Sequence, residues 1–412
     1  MTLSQRALVL DRSDPLRATR EQFDLPEGTC YLDGNSLGAL ALPVREAMQQ
    51  TVDVEWGQGL ISSWNEYDWL SLPLQVGDRI GALLGAGEGQ TLCVDNLSTN
   101  LFKLLYSALA LNPERNVILT ERGNFPTDNY IAEGLVAMLG SNRCRVRYCD
   151  ADDLEHTDLS DVAVVSLAHV NFRTGAQWDM ARVTERVQAA GALMLWDLAH
   201  SVGVTALELD AIGVDMAVGC TYKYLNGGPG SPGFLYLNRR HHDAAKIAIQ
   251  GWMGHANLFA FASEYQAATG IARFLTGTQG VLGMRAVEAA LMLYESVEPA
   301  ALRAKSSALT SFFLEAIAAQ PAASALRRIT PDDPARRGSQ ICLTHPDGYA
   351  IAQALISAGV VVDFREPDII RFGFAPLYLS FAEVLGAAEV LEDILRTEVW
   401  REPRFATRKT VT

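Results

Sequence analysis

Apolar residues recur along this chain with two different periods, and the switches between them mark its elements. Short, mostly apolar runs stand at Thr91–Val94, Val117–Thr120, Val162–Leu167, Ala192–Trp196 and Met216–Cys220. Runs of this length read as strands of a parallel sheet covered on both faces. Helical periodicity lies between them. From Asn100 to Ala110, Leu101, Leu104, Leu105 and Ala108 share one face, and Met180–Ala190 reads the same way. With a further strand at Arg145–Tyr148, the alternation predicts an α/β fold with a mostly parallel sheet. Gly233–Leu237 is expected to run back antiparallel, as in many mixed sheets. Helices are expected at Asp14–Gln22, Val44–Trp56 and Val281–Val297.

A second layer follows: helix Leu302–Ala318, strand Ser339–Leu343, helix Tyr349–Ser357, strands Val360–Phe364 and Ile369–Phe374, and helix Ser380–Leu395. It predicts a small C-terminal α/β domain. The expected division is an N-terminal segment (1–60) packing with the small domain (298–412), and a large domain (61–297) between them. The stretch 251–280 is rich in glycine and loops. A long irregular segment in a compact protein is usually functional, and it is placed to cross to a partner subunit.

Composition narrows the class. The 412 residues are 49% hydrophobic and 20% charged, as in ordinary globular proteins. The net charge is -14, and the densest basic groups, Arg239-Arg240 and the tail from Arg401 to Lys409, are short. An acidic chain without a basic stripe argues against a nucleic-acid partner. No apolar run approaches the roughly 18 residues of a membrane span, and the N-terminus does not read as a signal peptide. The six cysteines show neither CxxC nor metal-ligand spacing, so no metal site is expected. They read as reduced thiols of a cytoplasmic protein.

Chemistry collects at the strand ends, where parallel sheets open onto ligand crevices. The run ending at Trp196 meets Asp197, and the run ending at Cys220 precedes Lys223 in a turn closed by Gly227-Gly228. An acid and a lysine 26 positions apart, each just past a buried strand, suit pyridoxal phosphate. The acid keeps the pyridine nitrogen protonated and the lysine carries the aldehyde. Lys223, beside Tyr222, is thus the candidate proton shuttle, and His200 could reach the ring's phenolic oxygen. Asn96-Leu97-Ser98-Thr99 is a capping sequence whose helix start suits a phosphate, although such caps open most helices. Phe125 and Asp128 flank Pro126 and Thr127, either as a loop against a flat cofactor or as a helix start. Donors at Tyr222 and in the loops carrying Trp252 and Thr278 could join the phosphate. His169, also past a strand end, reads as structural or functional. Arg371, on a central strand of the small domain, is the strongest candidate to clamp a substrate carboxylate. The loop containing Asn35 reads as an ordered turn, and Trp56, Trp64, Tyr67 and Trp69 read as core or interface packing, although one of them could meet an aromatic substrate.

These residues also sit in words that resemble one family. LDGNSLG (32–38), LSTNLFKLL (97–105), NFPTD (124–128), HVNFRTG (169–175), WDLAHSVG (196–203), GCTYKYLNGGPG (219–230), GWMGH (251–255) and EPDIIRFGFAPLY (366–378) are similar to kynureninases over nearly the whole chain. That family belongs to the aspartate-aminotransferase-like, fold type I pyridoxal phosphate enzymes. The resemblance implies a large domain with a seven-stranded, mostly parallel sheet and a small C-terminal α/β domain. It implies pyridoxal 5'-phosphate carried by Lys223 and contacted by Leu97, Ser98, Phe125, Pro126, Thr127, Asp128, Asp197, His200 and Tyr222. Trp252 and Thr278 would come from the other subunit of a homodimer, and Asn35, Trp64 and Arg371 would meet substrate. The implied reaction, in tryptophan degradation, cleaves L-kynurenine hydrolytically to anthranilate and L-alanine, with Lys223, Tyr222 and Asp197 catalytic. Thr278 and the tryptophan-rich segment look like the bacterial form, which implies kynurenine over its 3-hydroxy analogue. The chain departs from the pattern at Ala168, where relatives carry a hydroxyl, so that cofactor contact is not implied here. The nearest rivals share the fold: a cysteine desulfurase or an aminotransferase.

Overall fold

The computed structural model describes residues 1–409. Its strands are Cys30–Tyr31 (β1), Thr91–Cys93 (β2), Val117–Glu121 (β3), Arg145–Cys149 (β4), Val162–Ala168 (β5), Leu193–Asp197 (β6), Met216–Gly219 (β7) and Phe234–Leu237 (β8). They continue as Arg327–Arg328 (β9), Gln340–Thr344 (β10), Val360–Val361 (β11), Asp363–Arg365 (β12) and Ile369–Gly373 (β13).

β2 to β8 form one seven-stranded sheet in the order β2-β8-β7-β6-β5-β3-β4. β8 is antiparallel to both neighbours, and the pairings among β3 to β7 are all parallel. The expected mostly parallel sheet with one reversed strand is therefore present. Alternation along β6 explains why both faces are covered. Met194 and Trp196 join the apolar layer on one side, and Leu195 joins the layer on the other. All seven residues of β5 are buried, as a central strand between two helical layers requires.

The C-terminal part builds a separate antiparallel sheet, β12-β13-β10-β9. Here the expected single strand Val360–Phe364 is corrected. The chain divides at Val362: β11 pairs in parallel with β1, and β12 pairs with β13. Two neighbours on different sides compete for one extended run, and the chain bends to serve both. Other boundaries also move. The first helix is Leu3–Ser13, opened by a Thr2/Gln5 capping box, ahead of the expected Asp14–Gln22, where only a 3₁₀ stretch, Arg17–Gln22, forms. The helix expected from Val44 to Trp56 spans Leu42–Gln50 and continues as a π turn over Thr51–Trp56.

The N-terminal stretch is tied to the C-terminal sheet. Gly373 N–H donates to Leu32 O at 2.7 Å, extending the β1–β11 contact to the end of β13. Lys305, on helix Pro299–Ala318, reaches Asp14 Oδ2 at 2.6 Å, and both side chains are about 95% buried. Asp33 lies where the two parts meet. Burial and the nearby Asp363 carboxylate raise its pKa to about 7, against help from Ser36 and Arg371.

Removing one partner of a buried ion pair leaves the other uncompensated. Lys305→Met is therefore expected to destabilise the fold by about 3–5 kcal/mol, with most of it recovered in Asp14→Leu/Lys305→Met. Urea unfolding of the two variants reads this, and an unchanged midpoint for the single variant would refute it. Asp33 makes a prediction of opposite kind. Its carboxyl is protonated in the fold but ionised in the unfolded chain between 3.8 and about 7, so its contribution to stability falls as pH rises across that window. Asp33→Asn, which cannot ionise, should be more stable than the parent at pH 8, with a gain that shrinks towards pH 4. Parallel stability profiles for the two proteins would contradict this.

Candidate active site

The site lies at the carboxyl ends of the central strands. Two helices start there. Leu97–Leu111 opens directly after β2, with Asn96 as cap accepting the Thr99 N–H at 3.0 Å. The helix thus begins at Leu97, earlier than expected, and the first-turn N–H groups of Leu97 and Ser98 have no partner within the helix. Pro126–Leu139 starts after β3 with Phe125 as cap. The Phe125–Asp128 stretch is therefore a helix start. Pro126 at the first position needs no N–H partner, and Thr127 and Asp128 fall in the first turn.

Leu97, Ser98, Phe125, Thr127, Ala168, Asp197, His200, Tyr222 and Lys223 line one cavity of about 180 Å³, together with Val170, Phe172 and Ala199. Lys223 Nζ lies 2.9 Å from His200 Nε2 and about 6 Å from the ring centres of Phe125 and Tyr222. Phe125 is braced edge-on by Phe172 at 5.1 Å. Asp197 Oδ1 accepts the Ala199 N–H at 2.8 Å.

Pro126 and Asp128 do not line the cavity, but Asp128 stands against Asp197. Burial and the Asp197 charge raise Asp128 well above the usual carboxylate range. Burial also raises Asp197, opposed by the positive charge of Lys223. Asn124 Nδ2 reaches Asp128 Oδ2 at 3.4 Å, while Asp128 Oδ1 has no N–H or O–H partner. Burial, with the cations Lys223 and Arg371, pushes His200 well below its ordinary range, so the ring is neutral. Tyr222 is held acidic-form-poor: burial and Cys220 raise its phenol.

The turn carrying Lys223 is held from the N-terminal side. Gly38 N–H donates to Tyr222 O at 2.7 Å, and a Cβ on Gly38 would stand 2.3 Å from Lys223 O. Only glycine allows that approach. Asn226 closes the turn at φ +58°, a left-handed conformation that asparagine tolerates.

The other sequence candidates fall outside the cavity. Arg371 is 1% exposed and is ion-paired with Asp363. It also donates to Ser36 Oγ at 3.1 Å and to Phe172 O at 2.9 Å, and its Nε has no partner. Asn35, fully buried, donates to Gln340 Oε1 at 3.4 Å and leaves its Oδ1 unpartnered. Trp64 packs edge-on against Trp69 at 5.7 Å. Trp252 is 40% exposed, and Thr278 is also exposed; within one chain, neither lines the Lys223 cavity. Their loop is anchored by Lys103, which pairs with Asp95 and donates to Phe274 O at 2.6 Å. His169 is structural: its Nδ1 meets Ser201 Oγ at 2.8 Å, and burial lowers it to about 4.

Sequence reasoning missed Gln340 and Asp363, which hold His200 and Arg371 respectively. The available signal was a polar residue opening the otherwise apolar Gln340–Leu343 run, and an acid inside Val360–Phe364.

The donor set fits pyridoxal phosphate. A buried acid pair short of one donor suits a protonated ring nitrogen, the amine suits the aldehyde, and the free helix N–H groups of Leu97 and Ser98 suit a phosphate.

Residues 302–391 match the family described as the kynureninase C-terminal domain. The chain is 48% identical to a kynureninase of Burkholderia pseudomallei (strain 1106a), with all of both chains covered. It is 44% identical to a kynureninase of Pseudomonas fluorescens, again over 100% of each. Among solved structures, the apo cysteine desulfurase from Thermococcus onnurineus NA1 superposes with a TM-score of 0.77 at 17% identity, covering 92% of this chain and 98% of that one. That likeness bears out the expected fold type I architecture, and identity over the full length settles the rest: the chain belongs to the kynureninase family of pyridoxal-phosphate-dependent hydrolases.

Proposed function

We propose that the chain hydrolyses the Cβ–Cγ bond of L-kynurenine, giving anthranilate and L-alanine, as a cytoplasmic homodimer with shared active sites. The observation that carries the reading is Lys223 beside neutral His200 in a cavity that also holds Asp197, in a chain 48% identical to a kynureninase. The exposed Trp252 and Thr278 support the dimer: they lie in an ordered loop yet away from this chain's own cavity. Six free cysteines support a reducing compartment, and no helix among the described residues is long and apolar enough to cross a membrane. The likeness of Thr278 and the tryptophan-rich segment to the bacterial form supports kynurenine over 3-hydroxykynurenine as substrate.

Bound pyridoxal phosphate supplies the electron sink for charge developing at Cα. Lys223 carries it and moves the Cα proton. Asp197, backed by Asp128, would hold the proton on the ring nitrogen. Leu97 and Ser98 would hold the phosphate, and Phe125 would cover the ring. Tyr222 relays a proton as water adds at the γ-carbonyl and the Cβ–Cγ bond breaks. Arg371 would take the substrate carboxylate, with Asn35 beside it.

A desulfurase needs a reachable thiolate. Cys93, Cys144, Cys149, Cys220 and Cys342 are buried, and burial beside Glu383 pushes the half-buried Cys30 up to about 12. That chemistry has no nucleophile here.

Incubation with L-kynurenine should release anthranilate fluorescence and an equal amount of alanine, and Lys223→Ala should abolish both. Anthranilate without alanine, or turnover in Lys223→Ala, would sink the reading. Arg371→Lys keeps a charge towards Asp363 but loses the forked geometry. It should raise KM roughly 10- to 100-fold, the worth of a charged hydrogen bond, with the far-ultraviolet dichroism unchanged. An unaltered KM would remove Arg371 from substrate binding.

A further inference from the structure

Gln340 opens β10, and its side chain lies between the Asn171-Phe172 turn and His200. Its Nε2 donates to Phe172 O at 3.1 Å and to Asn171 O at 3.3 Å. Its Oε1 lies 3.0 Å from His200 Nδ1. The amide cannot be reversed, because its oxygen would then face two backbone carbonyls, and carbonyls only accept. The backbone therefore decides which end of Gln340 meets the histidine, and that end is an acceptor. His200 must answer with a donor, so its single ring proton sits on Nδ1. A neutral imidazole with Nδ1 protonated has a bare Nε2. That nitrogen is the one 2.9 Å from Lys223 Nζ.

We propose that Gln340 is a positioning residue that fixes His200 as its Nδ1–H tautomer, so that Nε2 accepts a hydrogen bond from Lys223. The opposite tautomer would set an N–H against the lysine nitrogen, donor against donor. The ring is buried and faces the cations Lys223 and Arg371, so it stays neutral and carries no second proton. One N–H of Lys223 is thereby occupied by His200, and the rest of that nitrogen is aimed elsewhere in the cavity. The proposal rests on the reading of Lys223 as the proton carrier. The tautomer itself does not depend on the substrate, so the two can fail separately.

The test is ¹⁵N NMR of the full-length chain with its cofactor, labelled only at histidine, with His200 assigned from its loss in His200→Asn. The expected spectrum has a protonated Nδ1 and an unprotonated Nε2 for that ring. In Gln340→Leu the preference for Nδ1–H should disappear. Turnover number should fall roughly tenfold or more, as for other residues that orient a primary group, with KM little changed. A bare Nδ1 or a protonated Nε2 in the parent overturns the proposal whether or not the variant folds. A folded Gln340→Leu with the parent's spectrum, or with a raised KM and unchanged turnover, overturns it as well.

Discussion

The constraint that the rest of the molecule answers to is the burial of charge around Lys223. An isolated ion in a protein interior costs far more than any single contact returns. Here Lys223, Asp197 and Asp128 share one enclosed region, and each is placed to offset another. Burial drives both carboxyls up, and the lysine charge draws Asp197 back. Both carboxyls of the pair thus sit above the ordinary carboxylate range. His200 is kept neutral by the same burial and by two cations near it. Such a set is favoured where water is largely excluded.

Two distant parts of the chain provide that enclosure. Residues 32–38 pass across the Lys223 turn, with Gly38 close enough for its N–H to reach Tyr222 O at 2.7 Å. The antiparallel C-terminal sheet delivers Gln340 and Arg371 from the same strand pair, since β10 and β13 are neighbours in register. Gln340 faces His200, while Arg371 reaches the Phe172 carbonyl beside it. Phe172 O accepts from both side chains. The turn 171–172, at the end of the main sheet, is thus the seam on which the second sheet is registered.

The chain's own pattern exposed much of this and concealed a definite part. The parallel strands were legible because both their faces are buried, which leaves short apolar runs ending in a polar residue, as Trp196-Asp197 does. The reversed β8 was legible from its turn. Lys223, Asp197 and the capping sequence Asn96-Leu97-Ser98-Thr99 stood out because their chemistry is local to strand ends, although the helix begins at Leu97. Gln340 and Asp363 did not, because their roles are long-range. Gln340 meets His200 140 positions away, and Asp363 acts through a side chain on a neighbouring strand. Val360–Phe364 looked like one strand because apolar periodicity reports burial and not partner, and two partners divide it. Trp252 and Thr278 sit in legible sequence words, yet neither lines this chain's Lys223 cavity.

Charge balance around Arg371 bears on the carboxylate clamp proposed for it. Arg371 and Arg365 both pair with Asp363, so two cations face one carboxylate. Asp33 is the nearby group that could cancel the excess, and its pKa of about 7 keeps it largely protonated under mildly acidic conditions. Burial, with the Asp363 carboxylate nearby, raises Asp33 and so leaves one positive charge less compensated. On the proposed reading, a substrate carboxylate arriving there would remove the imbalance and supply a partner to Arg371 Nε, which has none among the described residues. Arg371 is therefore neutralised enough to be buried, yet its surroundings stay short of a full negative complement, as the proposed clamp requires. A fully balanced Arg371–Asp363 pair would be easier to bury, but it would have no reason to bind a carboxylate.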